Sequence, residues 1–290
     1  MLPGMTRKPR IAIVGAGSLG SALAVSLRRA GFVVDAVLAR PTENSIKRAR
    51  RLARQIGARS LTDAADLKAE VVWLCVPDSQ IGRAALTLAE KFRWKGIVAL
   101  HSSGALTSDE LEPLRRRGAV VASVHPLMTF VPGSRPKLAG VPFAIEGDHK
   151  AVQIARQIVR ELGGQPFAIR KEDKAAYHAW GTFASPLLTA LLATTERVAC
   201  LAGVKRKDAV PRMIPILQQT LANYAERGAA RSFSGPIIRG DVETVNRHLN
   251  VLTRIPVARD VYVALAQASL EFLPVKHKSV LRRLLMSGTE

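Results

Sequence analysis

Residues 11–31 read IAIVGAGSLGSALAVSLRRAG. A short apolar run ends in Gly15-x-Gly17-x-x-Gly20 and passes directly into a stretch with helical periodicity. Strand, glycine turn and helix in that order are the pattern of a phosphate-holding crossover. Gly15 permits the tight turn, Gly17 lets the backbone approach a pyrophosphate, and Gly20 lets the helix pack closely on the strand. The amides of Gly17, Ser18 and Leu19 then face anionic oxygens from a helix N-terminus. The stretch predicts a dinucleotide site, with a ligand-free glycine turn as the plainer reading.

The second strand selects the nucleotide. A site for NAD places Asp or Glu about 20 residues after the glycines, to accept from the ribose 2′-hydroxyl. Here Asp35 comes too early, inside the strand, and Arg40 stands at its end in VLARPTENS. Arginine cannot accept a hydrogen bond but pairs bidentately with a 2′-phosphate. Arg40 therefore favours NADP(H) over NAD(H). Thr42, Asn44 and Ser45 can add donors, although Thr42 equally suits an N-cap. The basic run from Lys47 to Arg54 reads mostly as a solvated helix face.

The 290 residues are 48% hydrophobic and 23% charged, the make-up of an ordinary globular protein with room for two modest domains. Cys75 and Cys200 are the only cysteines and have no metal or redox spacing, so a reduced, cytoplasmic protein without a metal site is expected. The first apolar run is strand-length and ends in glycines, which is not the pattern of a signal peptide. The most apolar segment, FASPLLTALLA at 183–193, is too short to span a bilayer and reads as a buried helix. A net charge of +20 raises nucleic-acid binding as a remote alternative. The basic residues are spread along the chain and rarely interleave with aromatics, which favours a solvated basic surface and no specific nucleic-acid partner.

The first half alternates apolar runs (10–15, 32–38, 71–76, 97–101 and 119–125) with helical patterns such as 80–92 and 107–117. That rhythm predicts βαβ units and a parallel sheet. VPFAIEGD and QPFAIR flank a helix near 149–162 and extend the sheet. From residue 172 helical periodicity takes over, with helices near 172–203, 207–227, 241–253 and 256–286, the last broken at Pro274. Pro186 should kink or divide the first of these. The expected architecture is α/β: a Rossmann-type domain over 1–170, then an all-α substrate or dimerisation domain over 171–290.

Ligands on such sheets lie outside the carboxyl ends of the strands. In CVPDSQ, Val76, Pro77 and Asp78 fall there and would line the nicotinamide side, although Asp78 also suits an N-cap. In HSSGALTSDE, His101 is a cofactor candidate and Ser102 and Ser103 are catalytic candidates, with loop self-bonding as the alternative. Thr107 and Glu110 fit a capping box. His125 ends the next strand in SVHPLMTF. Lys174, Tyr177 and His178 in KEDKAAYHAW open the helical segment, Lys174 and His178 sharing a face four residues apart. When a hydride reaches a carbonyl or imine carbon, the heteroatom left behind needs a proton, and Lys174, Tyr177 and His178 are candidates to supply it, with an ordinary domain-interface network as the alternative; His125, at the crevice edge, is a further catalytic candidate.

Taken in order, IVGAGSLGSAL, VPDSQI, LHSSGAL, SVHPLMTF, FAIEGD, AAYHAWGTFAS and SGPIIRGDVETVNRHL resemble a family of NADP-dependent oxidoreductases. In that family a Rossmann-like domain precedes a helical domain of unknown function. The resemblance covers roughly residues 10–270 and extends distantly to pyrroline-5-carboxylate reductase, ketopantoate reductase and 6-phosphogluconate dehydrogenase-like proteins. It implies NADP as cofactor, a small-molecule substrate held between the domains, and a homodimer formed through the helical domain, with no membrane partner. Family members commonly carry Ala-Ser-Asn where this chain has Ala184-Ser185-Pro186. Gly235-Pro236…Arg239-Gly240-Asp241 reads either as a loop capping the helix from Asp241 or as a cleft or dimer contact. The leading reading is an oxidoreductase acting on a small carbonyl or imine. The alternative is an NADPH-binding sensor or scaffold without turnover.

Overall fold

The quoted stretch folds as a strand, β1 (Ile11–Val14), and a helix, α1 (Ser18–Arg29). The computed structural model describes residues 7–134 and 136–286. There follow β2 (Val34–Leu38), α2 (Glu43–Ile56), β3 (Arg59–Leu61), β4 (Val71–Leu74), α3 (Asp78–Lys91), β5 (Val98–His101) and α4 (Glu112–Arg115). Then come β6 (Val120–Pro126), β7 (Pro142–Gly147), α5 (His149–Glu161), β8 (Gln165–Ala168) and α6 (Lys174–Thr182). The eight strands form one sheet in the order β3-β2-β1-β4-β5-β6-β7-β8. Through β6 every pairing is parallel, in the Rossmann order. β7 then runs antiparallel to β6, and β8 parallel to β7.

Strand residues alternate between the two faces, as a period of two requires. Ile11, Ile13, Val71, Trp73, Val124, Phe143 and Ile145 pack under α1, α2 and α5. Ala12, Val14, Val72, Leu74, Ala99 and Val121 pack under α3 and α4. Near-continuous apolar strands are what a sheet covered on both sides demands. β3 was not anticipated, because three residues at the sheet edge carry too little pattern to register.

Compact packing divides the chain into a unit ending at Ala184 and a unit beginning at Ser185. The compositional change near 170 therefore precedes the structural division by one helix, and α6 lies in the sheet unit. Between α6 and α7 (Leu188–Leu201) the backbone widens into a π-helical turn, Phe183–Leu187, that contains Pro186. A widened turn accommodates a residue that has no amide hydrogen to give.

The second unit continues with α8 (Arg206–Ser232), α9 (Pro236–Arg239), α10 (Val242–Leu252), α11 (Pro256–Phe272) and α12 (Lys278–Met286). α8 is interrupted at Gly228, and the break around Pro274 separates α11 from α12. Its core is built from Val245 and Leu249, Val263, Ala266 and Leu270, and Leu281 and Leu285. Asp241 caps α10 by accepting from the Thr244 amide at 3.0 Å, as the plainer reading of its loop expected. Among the described residues no single helix is long and apolar enough to cross a membrane.

Candidate active site

At the switch point of the sheet the glycines have separate steric reasons. Gly15 has φ +101°, and a Cβ there would lie 2.7 Å from the Cys75 carbonyl oxygen. At Gly20 a Cβ would lie 2.1 Å from the Gly15 carbonyl oxygen. A Cβ at Gly17 would meet no protein atom within 4 Å. The protein itself thus requires Gly15 and Gly20, whereas Gly17 leaves open space above the start of α1. No side chain caps that helix, so its first-turn amides at Ser18 and Leu19 are available to an anion.

Asp35 is occupied elsewhere: its Oδ2 accepts from Arg59 at 2.7 Å and from the Lys68 amide at 2.9 Å. Arg40, beyond the end of β2, is exposed and has no ion-pair partner among the described residues. Thr42 stands at the N-cap of α2, but its hydroxyl donates to Ser45 Oγ instead of accepting an amide.

Val76 and Pro77 follow β4 beside the glycine turn, a Cβ on Gly15 coming within 3.1 Å of Val76 Cγ1. Asp78 is not the N-cap of α3, a place taken by Pro77. Its carboxylate accepts from the Ser103 hydroxyl at 2.8 Å, which ties this turn to the loop after β5. Ser103 Oγ also accepts from the amides of Ala105 and Leu106, so the loop-bonding role of this serine is realised together with the tie to Asp78. Ser102 accepts from the Trp73 indole at 2.8 Å.

His101 is wholly buried. Its Nδ1 accepts from the Ser103 amide at 3.1 Å and its Nε2 lies 3.0 Å from the Thr107 carbonyl. The two bonds fix a neutral ring with hydrogen on Nε2 and leave no ring nitrogen for a ligand. Burial above all, with the Lys174 charge behind it, pushes the pKa of His101 down to about 3.

β6 and β7 supply the rest. In their register Ser123 lies opposite Glu146, and His125 opposite Ala144. Residues two apart on a strand share a face, so Ser123, His125, Ala144 and Glu146 form one polar patch facing away from the Val124 and Ile145 core. Tyr177 from α6 packs on His125, with its hydroxyl 2.8 Å from His125 Nδ1 and the rings edge to face at 5.4 Å. Burial, then Lys174 and His178, lowers the pKa of His125 to about 4, and burial raises that of Tyr177 to about 12. Both are neutral near pH 7.

His178 is exposed one residue on, its ring centroid 6.3 Å from that of His125. Gly104 sits beneath both rings: a Cβ there would lie 2.7 Å from His178 Cδ2 and 2.9 Å from His125 Nε2. Lys174 turns the other way. Its side chain is 2% exposed, and Nζ donates to the Ser103 carbonyl at 2.9 Å and to Ser123 Oγ. The site thus gathers Asp78, Ser103, His125, Tyr177 and His178 around one loop, with Lys174 beneath it. Sequence reading missed Glu146, Ser123 and Gly104. The available signal was a charged residue and a serine inside otherwise apolar strand runs. Among the described residues no group of three or more His, Cys, Asp or Glu side chains is placed to hold a metal.

Residues 4–126 match the family of Rossmann-like domains, and residues 141–269 match the Domain of unknown function (DUF2520). The chain therefore joins a Rossmann-like domain to a DUF2520 domain, the pairing that the resemblance implied. No curated protein matches the sequence. Among solved structures, a Bacteroides fragilis protein provisionally assigned as an NADP oxidoreductase is 23% identical, covering 90% of this chain and 97% of its own, with TM-score 0.74. A Thermotoga maritima protein is 27% identical over 89% of this chain and 97% of that one, with TM-score 0.68. A reductive aminase from Aspergillus terreus, solved with NADPH and ethyl-5-oxohexanoate, is 14% identical over 96% and 100%, with TM-score 0.66. These likenesses establish a shared fold.

Proposed function

We propose that the protein is an NADP(H)-dependent oxidoreductase that reduces a small carbonyl or imine substrate. One observation carries the reading: a glycine turn with free helix-terminal amides shares the carboxyl end of one sheet with the neutral His125–Tyr177 pair. The residues suit NADP(H). Gly17 leaves room for the pyrophosphate, Arg40, without an ion-pair partner among the described residues, suits a 2′-phosphate, and Asp35 is held by Arg59 and the Lys68 amide within the sheet edge. When bound, the nicotinamide supplies or takes up hydride. His125 and Tyr177 then handle the proton. The Tyr177 hydroxyl lies 2.8 Å from His125 Nδ1 and 3.4 Å from the His125 carbonyl oxygen; in the tautomer that accepts the hydroxyl at Nδ1, His125 carries an N–H at Nε2 for the substrate heteroatom. Ethyl-5-oxohexanoate, the ligand of the Aspergillus reductive aminase, is a carbonyl compound of the proposed class.

The second unit is proposed to pair with a second copy of the chain. α7 has no buried residue and α8 buries only Ala209, while Ile216, Leu221 and Tyr224 on α8 are 69%, 62% and 59% exposed. The unpaired thiols of Cys75 and Cys200 suit the cytoplasm, and burial pushes that of Cys75 up to about 12.

The test is binding followed by turnover. NADPH should bind more tightly than NADH, and Arg40→Asp should weaken NADPH by roughly 10- to 100-fold, the worth of a charge-assisted pair. NADPH should be consumed with ethyl-5-oxohexanoate and methylamine, and less so by His125→Ala. Equal binding of both nucleotides by wild type would end the cofactor assignment. Tight NADPH binding without oxidation across carbonyl and imine panels would favour a sensor.

A further inference from the structure

A buried polar chain runs behind the His125–Tyr177 pair. Glu146, with its side chain 4% exposed, accepts from the Ser108 amide at 2.7 Å and from the Ser108 hydroxyl at 2.8 Å. Its Oε1 lies 3.9 Å from Lys174 Nζ. Lys174 holds the Ser103 carbonyl and Ser123, and Ser123 itself donates to the same carbonyl at 3.1 Å. A buried ion pair is poorly explained by stability alone, because apolar residues of similar volume are often as stable. What this pair does hold is a loop. Glu146 grips it at Ser108 and Lys174 grips it at Ser103. Gly104, beneath both histidine rings, lies between those grips.

We propose that Glu146 and Lys174 form a charged pin that fixes the loop from Ser103 to Ser108 under His125, so that Lys174 is a positioning residue and hands no proton to substrate. The proposal rests on the assignment of His125 and Tyr177 as the proton-handling pair. Lys174 Nζ gives hydrogen bonds to Ser103 O and Ser123 Oγ inside the protein, and Glu146 Oε1 at 3.9 Å is its ion-pair partner. The carboxylates acting on Nζ are Glu146 from β7 and Asp78 from α3. His101 from β5 and His125 from β6 complete its titratable surroundings. Burial lowers the Lys174 pKa to about 8 while the two carboxylates oppose the fall.

Lys174→Met and the near-isosteric Glu146→Gln test the pin by three readouts: NADPH affinity, the ¹⁵N resonances of the His125 ring, and the pH profile of NADPH consumption with ethyl-5-oxohexanoate and methylamine. Both variants should keep NADPH affinity within about threefold, as distant sites do. Both should shift the His125 resonances and lower kcat by roughly 10- to 100-fold through misplacement, and Lys174→Met should lose the wild-type fall in rate above about pH 8, since it has no ammonium left to discharge. Lys174→Arg should recover part of the loss. An unmoved His125 resonance overturns the proposal. So does turnover lost in Lys174→Met but kept in Glu146→Gln, which would make Lys174 the donor. Should Lys174→Met fail to fold by circular dichroism, Glu146→Gln decides on the same readouts. Failure of wild type to bind NADPH would instead remove the functional reading, and the resonance test would still judge the pin.

Discussion

Replacing Gly104 with alanine should disable the site while leaving the glycine turn intact. The new methyl would lie 2.7 Å from His178 Cδ2, 2.9 Å from His125 Nε2 and 3.0 Å from His125 Cε1. Non-bonded carbon atoms settle at about 3.5–4.0 Å, so each ring must retreat by roughly 0.5–1 Å. His178 is exposed and can swing aside. His125 cannot move freely, because Tyr177 holds its Nδ1 at 2.8 Å. A retreat of that size stretches the bond to the edge of hydrogen-bonding distance. The lost bond is worth about 1 kcal/mol and overpacking about 1–3 kcal/mol, so destabilisation of about 2–4 kcal/mol is expected. Urea unfolding should show a lower midpoint with unchanged slope, since the surface exposed on unfolding is the same. NADPH binding should persist while turnover falls. Wild-type stability together with an unmoved His125 resonance would refute the reasoning.

Three further outcomes follow from other parts of the molecule. Gly20→Ala places a methyl 2.1 Å from the Gly15 carbonyl oxygen, so α1 must lift from β1; a loss of about 3 kcal/mol or more is expected, together with NADPH binding, by urea unfolding and titration. His101 and His125 have pKa values lowered to about 3 and about 4, so below the ordinary value of 6.5 the unfolded chain takes up protons that the folded chain refuses. Stability should therefore be full above pH 6.5 and fall as the pH drops towards 4, by about 1.4 kcal/mol per pH unit for each histidine. Urea midpoints across that window measure the fall, and a flat profile would sink the assignment. Arginine at Leu221 or Ile216 should convert a dimer into a monomer by light scattering without loss of helical circular dichroism. A wild-type monomer would exclude pairing through this face.

How legible the molecule was depends on how local each signal is. Ile11 to Gly31 spells strand, turn and helix because every choice in it is made by neighbours in sequence. The later strands were readable for the same reason, and so was the cap at Asp241. The reversal at β7 was not, because FAIEGD carries the same apolar pattern whichever way it pairs. Lys174 and His178 share a nominal helix face, yet one points into the sheet unit and the other into solvent. Four residues on a helix fix angle and say nothing of what lies above or below. His101 looked like a crevice residue because strand ends line the crevice. Its ring turned inward to bond the backbone of its own loop, a choice made by Thr107 and Ser103. Glu146 acquired its role only when the antiparallel register set it opposite Ser123.

That register has a consequence for how the chain finds its fold. A slip of β7 by one residue would turn Ile145 towards Lys174 and drive the Glu146 carboxylate into the apolar layer beneath α5, with neither Ser108 nor Lys174 to receive it. Ordinary apolar strands tolerate such errors with small penalties, since one aliphatic side chain replaces another. Here a single misplaced pairing strands a charge. The penalty for burying an unpaired carboxylate therefore favours the register of β7 on β6 that completes the site over its one-residue slips.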